Sequence, residues 1–263
     1  MTIRLTGLLA AAAAAWACQA GPPEKPRQPL DAGNPRSLAE HAIYNTRTRS
    51  YQTRFQARLA APQGDPIDYK GTSLWISPRV LYIHYTATGG DFKNIVRADA
   101  VRGVPNVWVW FEGAGEWVRP DELGSPGIGR GIQNPDEILE TLSQHLEGAR
   151  LLGPGVVGVP FAGEALEKVM KDQARAGSFD WKESTATIEL HADAETRLKK
   201  LVCRAELKSA DPNVRGTVKY SGEVEAETYA PEREMKFLDE NKKAIPLRED
   251  IRKAVDAVLK ENK

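Results

Sequence analysis

The spacing of apolar positions switches between two periods along this chain, and the switches lay out the expected elements. Ser37 and Glu40 have the spacing of a capping box, and Leu38, Ala42, Ile43 and Tyr44 follow at helical intervals, which predicts a helix ending near Arg49. The period then falls to two. Tyr51, Thr53, Phe55, Ala57 and Leu59 alternate with Gln52, Arg54, Gln56 and Arg58, the pattern of a strand with one covered and one wet face. Further strands are expected at about 69–77, 79–87, 92–98 and 106–112, divided by turn residues and spaced as an antiparallel meander. Residues 107–111 are apolar at every position, so that strand needs cover on both faces.

Residues 113–131 hold six glycines and two prolines around Trp117 and Leu123, long enough for a functional loop. Asn134 and Pro135 open a helix with the stripe Ile138, Leu139, Leu142 and Leu146, and Asp136 and Glu137 stand at its positive end. Gly153, Gly155 and Gly158 fit the spacing of a dinucleotide fingerprint. Only Leu151 and Leu152 precede them as an apolar run, and Pro154 and Pro160 interrupt, so the stretch reads as a loop. A second helix is expected at about 163–176, carrying Leu166, Val169 and Met170. Period two then returns: Ala186, Ile188 and Leu190 form one half-covered strand, and Leu201, Cys203, Ala205 and Leu207 another. Over 217–229, Glu223, Glu225 and Glu227 share a face, for which Lys200, Arg204 and Lys208 across a turn at 211–213 are the candidate counter-charges. A last helix at about 248–261 presents Ile251, Val255, Val258 and Leu259 on one side.

Composition narrows the compartment more than the chemistry. Of 263 residues, 41% are hydrophobic and 27% charged, with 36 basic side chains against 36 acidic ones. Such a chain can bury a core without disulfides or metals. With no net charge and no basic run interleaved with aromatics, it is not built to hold nucleic acid. Arg4 is followed by an apolar run over 5–16, shorter than the ~20 residues of a membrane span, which is the pattern of an export signal. The run ends in Ala15-Trp16-Ala17-Cys18. This resembles the lipobox of bacterial lipoproteins, in which the Cys is lipidated and becomes the first mature residue. The same tripeptide is also an A-x-A site for ordinary signal peptidase, and either enzyme would cut before Cys18. Cys203 then stands alone as a buried, inert thiol, the alternative being a disulfide to Cys18. Five prolines between Gln19 and Arg36 make that segment a tether. The expected organisation is a signal peptide over 1–17, a lipidated Cys and tether over 18–36, and one domain over 37–263.

Catalytic and metal-binding patterns are missing from the spacing. His41, His84, His145 and His191 have no second ligand-type residue at metal spacing, and no nucleophile elbow surrounds Ser125. No cofactor is expected. What stands out is an apolar lining: Trp108 and Trp110 share one strand face, and Trp75, Leu81, Ile83 and Tyr85 lie on strands close in sequence. A curved sheet would gather these side chains either into an ordinary core under helices or into a pocket for an acyl chain.

The order of signal, tether, helix, long meander, two central helices and further antiparallel strands resembles the LolA/LppX-type lipoprotein-localisation and lipoprotein-carrier family. Local traces are Ser50-Tyr51 followed by Phe55, then Gly71, the Ser77-Pro78 turn, the strand at 107–111 and Glu116-Trp117. The resemblance covers roughly residues 37–247. It implies an α+β fold in which a curved antiparallel half-barrel has helices over its concave face. It also implies binding of a lipid or acyl chain without catalysis, while Gln19 after the lipobox Cys, by resemblance to enterobacterial sorting rules, points to a periplasm-facing outer-membrane lipoprotein. On that reading the ligand-binding candidates are Phe55, Trp75, Leu81, Ile83, Tyr85, Trp108, Trp110, Ile188 and Leu190, with residues 113–131 and the helix at 135–147 as the lid. The alternative is a structural or assembly module of the cell envelope with a closed core and a protein partner. An enzyme whose cluster is hidden by sequence distance is a third expectation.

Overall fold

The computed structural model describes residues 23–62, 64–76, 80–89, 92–104, 106–111, 116–118, 135–170, 179–211, 216–229, 243–244 and 246–261. The segment read as an export signal, Cys18 and the first part of the segment read as a tether lie outside these residues, as does most of the glycine-rich segment at 113–131.

Helix α1 (Pro35–Arg47) begins two residues before Ser37. The capping box expected at Ser37 and Glu40 is replaced by an earlier cap. Asn34 Oδ1 accepts the backbone N–H groups of Arg36 at 3.0 Å and Ser37 at 3.2 Å, and Pro35, with no N–H to satisfy, suits the first helical position. Ser37 Oγ accepts the N–H of Asp31 at 3.0 Å instead, while Glu40 pairs with Arg36 at 2.8 Å. Helix α1 thus starts at Pro35, just inside the segment read as a tether.

The strands follow in one antiparallel sheet. A meander comes first: β1 (Tyr51–Ala60), β2 (Ile67–Ile76), β3 (Val80–Gly89), β4 (Phe92–Val104), β5 (Asn106–Phe111) and β6 (Glu116–Val118). After helix α2 (Pro135–Gln144) the chain resumes at the other edge with β7 (Arg150–Gly153) and β8 (Val156–Ala162), crosses helix α3 (Gly163–Met170), and walks inward through β9 (Phe179–Ala192) and β10 (Leu198–Ser209) to β11 (Thr217–Tyr229). β11 pairs with β1, which gives the order β6-β5-β4-β3-β2-β1-β11-β10-β9-β8-β7, with β6 and β7 at its two ends among the described residues. One contiguous core joins side chains from β3 to β8 with those of α1, α2 and α3. The sheet is a curved half-barrel that wraps these helices on its concave side.

Several expectations change here. Residues 151–160 are the β7–β8 hairpin and not a loop: Gly155 takes φ +70 at the turn, a conformation that suits glycine, and its carbonyl accepts the Ala192 N–H at 2.8 Å. Pro160 is tolerated in β8 because β7 pairs only as far as Gly158, leaving that stretch of the edge open. β4 runs on to Val104, and β6 forms within the segment read as a loop. β9 starts at Phe179, where period two fails because residues 181–184 bulge between the pairs Glu206–Thr185 and Lys208–Asp180. Ser184 closes that bulge: its Oγ donates to the Asp180 carbonyl at 2.6 Å and accepts the Lys208 N–H at 3.0 Å.

The convex face carries the charges. Lys200 meets Glu223 at 2.9 Å and Glu225 at 4.0 Å, as the row of glutamates required. Arg204 and Lys208 turn instead to Glu189 and Glu183 on β9, and Arg54 of β1 takes Glu227. Near β3 this face is apolar, and helix α4 (Glu249–Glu261) covers it: Ile251 and Val255 pack with Val80, Tyr82 and Trp117. Trp117 Nε1 donates to the Pro246 carbonyl at 2.8 Å. If Asn34 is the true cap, Asn34→Ala lowers unfolding free energy by about 1 kcal/mol, while Ser37→Ala changes it by less than about half as much; urea denaturation of both variants measures the order.

Candidate apolar binding face

Register decides which side chains meet. Tyr51 pairs with Trp75, Thr53 with Ser73, Phe55 with Gly71 and Ala57 with Tyr69, and these continue to Leu81, Ile83, Tyr85 and Ala87 on β3. All of these rows face the concave side. Gly71 lets the layers close up: a Cβ there would stand 2.0 Å from the His84 carbonyl oxygen and 2.6 Å from the Phe55 ring. Beside it the Tyr69 and Tyr85 rings lie 6.5 Å apart, tilted by 46°, and burial raises the Tyr69 phenol above its ordinary pKa. Tyr51 meets Tyr229 at 5.9 Å, and the Arg197 guanidinium sits 4.4 Å over the Tyr229 ring.

Among the expected ligand residues, Phe55, Trp75, Ile83, Tyr85 and Leu190 are buried in this one cluster, and Ile188 packs against it half-buried. Leu81 occupies the register position beside Trp75. Trp108 and Trp110 fall on other rows. Trp108 pairs with Val101 and so continues the row of Tyr82, while Trp110 pairs with Asp99 and Trp117 and continues the row of His84. Their register positions are one residue out of step with those of Ile83 and Tyr85. The lid expected over 113–131 lies mostly outside the described residues, and the part that is described, β6, is held on the convex side through Trp117.

Polar groups on the concave side are few, and most are matched. The Thr53 and Ser73 hydroxyls, both buried, share a hydrogen bond of 2.6 Å. The Trp75 indole N–H, on a residue 7% exposed, has no hydrogen-bond partner among the described residues. Side-chain polar contacts fasten the covering helices. Thr46 Oγ1 donates to the Ala42 carbonyl and accepts the Leu198 N–H, each at 2.7 Å, which ties the end of α1 to the start of β10. Arg47, with only 6% of its side chain exposed, reaches Glu140 of α2 at 2.8 Å. Neither spacing nor periodicity pointed to these contacts, because Thr46, Arg47 and Glu140 read as ordinary helix residues. Cys203 is free and buried, and burial pushes its thiol up to about 12. On the convex face a recess of about 280 Å³ lies between Arg58, Lys70, Arg204 and Glu223, with Arg58 facing Asp68 at 3.4 Å. Among the described residues no group of three or more His, Cys, Asp or Glu converges as for a metal ion.

The fold is thus an α+β open half-barrel whose apolar side is turned inward. Solved structures similar to this chain include LprF from Mycobacterium bovis, 8% identical, with 75% of this chain and 93% of that one covered at a TM-score of 0.38. Another is the LolA superfamily protein NE2245 from Nitrosomonas europaea, 11% identical, with coverage of 75% and 93% at a TM-score of 0.31. The second carries the family name that the sequence resemblance pointed to. At TM-scores below 0.5 neither bears on function, which rests on this chain's own residues. No protein-family model matches the chain, and no curated protein matches it in sequence.

Two measurements check the geometry. Glu140→Ala leaves Arg47 buried without its carboxylate and should cost about 3 kcal/mol in denaturant unfolding, most of which the double variant Arg47→Met, Glu140→Leu regains. The raised Cys203 pKa stabilises the fold fully below the thiol's unfolded pKa near 9 and loses that contribution as pH rises towards about 12. Native protein should therefore resist thiol reagents at pH 8, and Cys203→Ala should lose less stability than wild type between pH 9 and 12 in thermal melts.

Proposed function

We propose that this chain is an exported, membrane-anchored lipoprotein whose half-barrel holds a lipid or acyl chain without catalysis. The organisation proposed is a cleaved signal over 1–17, a lipidated Cys18 with its tether to about residue 36, and a single carrier domain to 263. The observation that carries the reading is the concave face itself. Phe55, Tyr69, Trp75, Ile83 and Tyr85 form one aromatic and aliphatic surface on an open sheet, under helices held by the Thr46 hydroxyl, the Asn45 amide and the Arg47–Glu140 pair. A ligand burying roughly 400 Å² of acyl surface there gains about 10 kcal/mol before ordering costs. No described helix is long and apolar enough to cross a membrane, which suits attachment through Cys18.

A second reading, an envelope assembly module with a closed core, is favoured by how completely this face is covered: Thr53 and Ser73 are 0% and 2% exposed. Native mass spectrometry of the full chain extracted from membranes separates the two. The carrier releases a stoichiometric lipid and takes up a fluorescent acyl probe; a chain that emerges bare and takes up none supports the assembly module. Cys18→Ser should move the protein from the membrane fraction to the soluble exported fraction, and a variant that stays on the membrane contradicts the anchor.

A further inference from the structure

On the concave side the Trp75 indole N–H stands unmatched among the described residues. Trp75 and Trp117 are comparably buried, at 7% and 3% exposed. The Trp117 indole N–H has the Pro246 carbonyl at 2.8 Å, whereas the Trp75 indole N–H has no partner among the described residues. Buried donors in folded proteins are almost always paired, and an exception calls for an explanation, of which an acceptor brought by a ligand is one. The surroundings define that group. Tyr51, Thr53, Phe55, Ser73, Ile83 and Tyr85 share the face and are all neutral, and the Thr53 and Ser73 hydroxyls are already engaged with each other. The cations near the covered end are also committed, Arg47 to Glu140 and Arg197 to Asp193 and Glu195.

We infer that Trp75 is a specificity-determining residue whose indole N–H donates to the carbonyl oxygen of a neutral acyl ester lying along the concave face. The inference rests on the carrier reading and deepens it. An apolar chain supplies the contact area; an ester carbonyl supplies the acceptor that the Trp75 indole N–H lacks among the described residues. A plain hydrocarbon leaves the donor unmatched. An ionised fatty acid brings a full negative charge to a surface where no described cation is free to meet it, and desolvating that charge opposes entry.

Binding of three pyrene-labelled probes to the full chain tests this: a diacylglycerol, a fatty acid at neutral pH and an alkane. Wild type should bind the ester about five- to tenfold more tightly than the alkane, the scale of one hydrogen bond, and the fatty acid more weakly than the ester. Trp75→Phe keeps an aromatic ring and removes the donor, so it should weaken the ester more than the alkane and bring the two to the same level. Equal weakening of ester and alkane, an unchanged ester, or a fatty acid that binds as tightly as the ester overturns the assignment while the carrier reading stands. Failure of all three probes to bind overturns both. A second readout needs no variant: the Trp75 indole N–H resonance in a nitrogen-15 spectrum should move downfield on adding the ester and not the alkane, and an unmoved resonance with bound ester contradicts the assignment.

Discussion

Alternation across the antiparallel ladder is the constraint on which the rest depends. Once β1 is aligned with both β2 and β11, every residue in the sheet is committed to one face, and a slip of a single residue would exchange the greasy side for the charged one. Inward positions on β1, β2 and β3 are odd-numbered, and on β11 Val224 and Ala226 continue the same rows. An irregularity after Gln52 then lets Tyr229 stand opposite Tyr51. That added residue allows the Tyr229 hydroxyl to donate to the Leu198 carbonyl, beside the point where α1 is tied down. A local defect in the ladder thus positions the cover.

The cover and the sheet are joined by few directional contacts and a large apolar area. Leu38, Ala42 and Ile43 of α1 and Leu139 and Leu142 of α2 are nearly fully buried, yet apolar packing has no preferred orientation and does not by itself fix where a helix lies. Orientation comes from Thr46, from Asn45, whose Nδ2 donates to the Thr196 carbonyl at 3.0 Å, and from the Arg47–Glu140 pair. These contacts cluster at the C-terminal end of α1, while its N-terminal end is set by the Asn34 cap.

Much of this was legible in the sequence wherever one period persisted. β1, β10 and the inner residues of β9 alternate cleanly, so Phe55, Cys203 and Leu190 could be assigned to the covered side from spacing alone. Spacing fails where a strand contains its own punctuation. Pro154 and Gly155 turn a hairpin, and Pro160 interrupts β8, so a paired region looked like a loop. At β9 a four-residue bulge hides the true start. The assignment of Trp108 and Trp110 required the length and register of β4, which extends six residues further than its apolar pattern suggests and has an irregularity before Val104. Caps are short-range, and two overlapping signals compete at α1; proline at the first turn favours the earlier one. The Arg47–Glu140 contact spans 93 positions along the chain and leaves no local trace.

Among the described residues the sheet ends at β6 and β7 without closing on itself, which gives the half-barrel a mechanical property that a closed barrel lacks. A closed ring of strands can widen only by breaking a seam of hydrogen bonds. An open ribbon can splay instead, changing its coil by a few degrees at each strand while every ladder bond stays intact. Differences in the girth of whatever lies inside are then absorbed by bending spread over eleven strands, and not by unfolding any one of them.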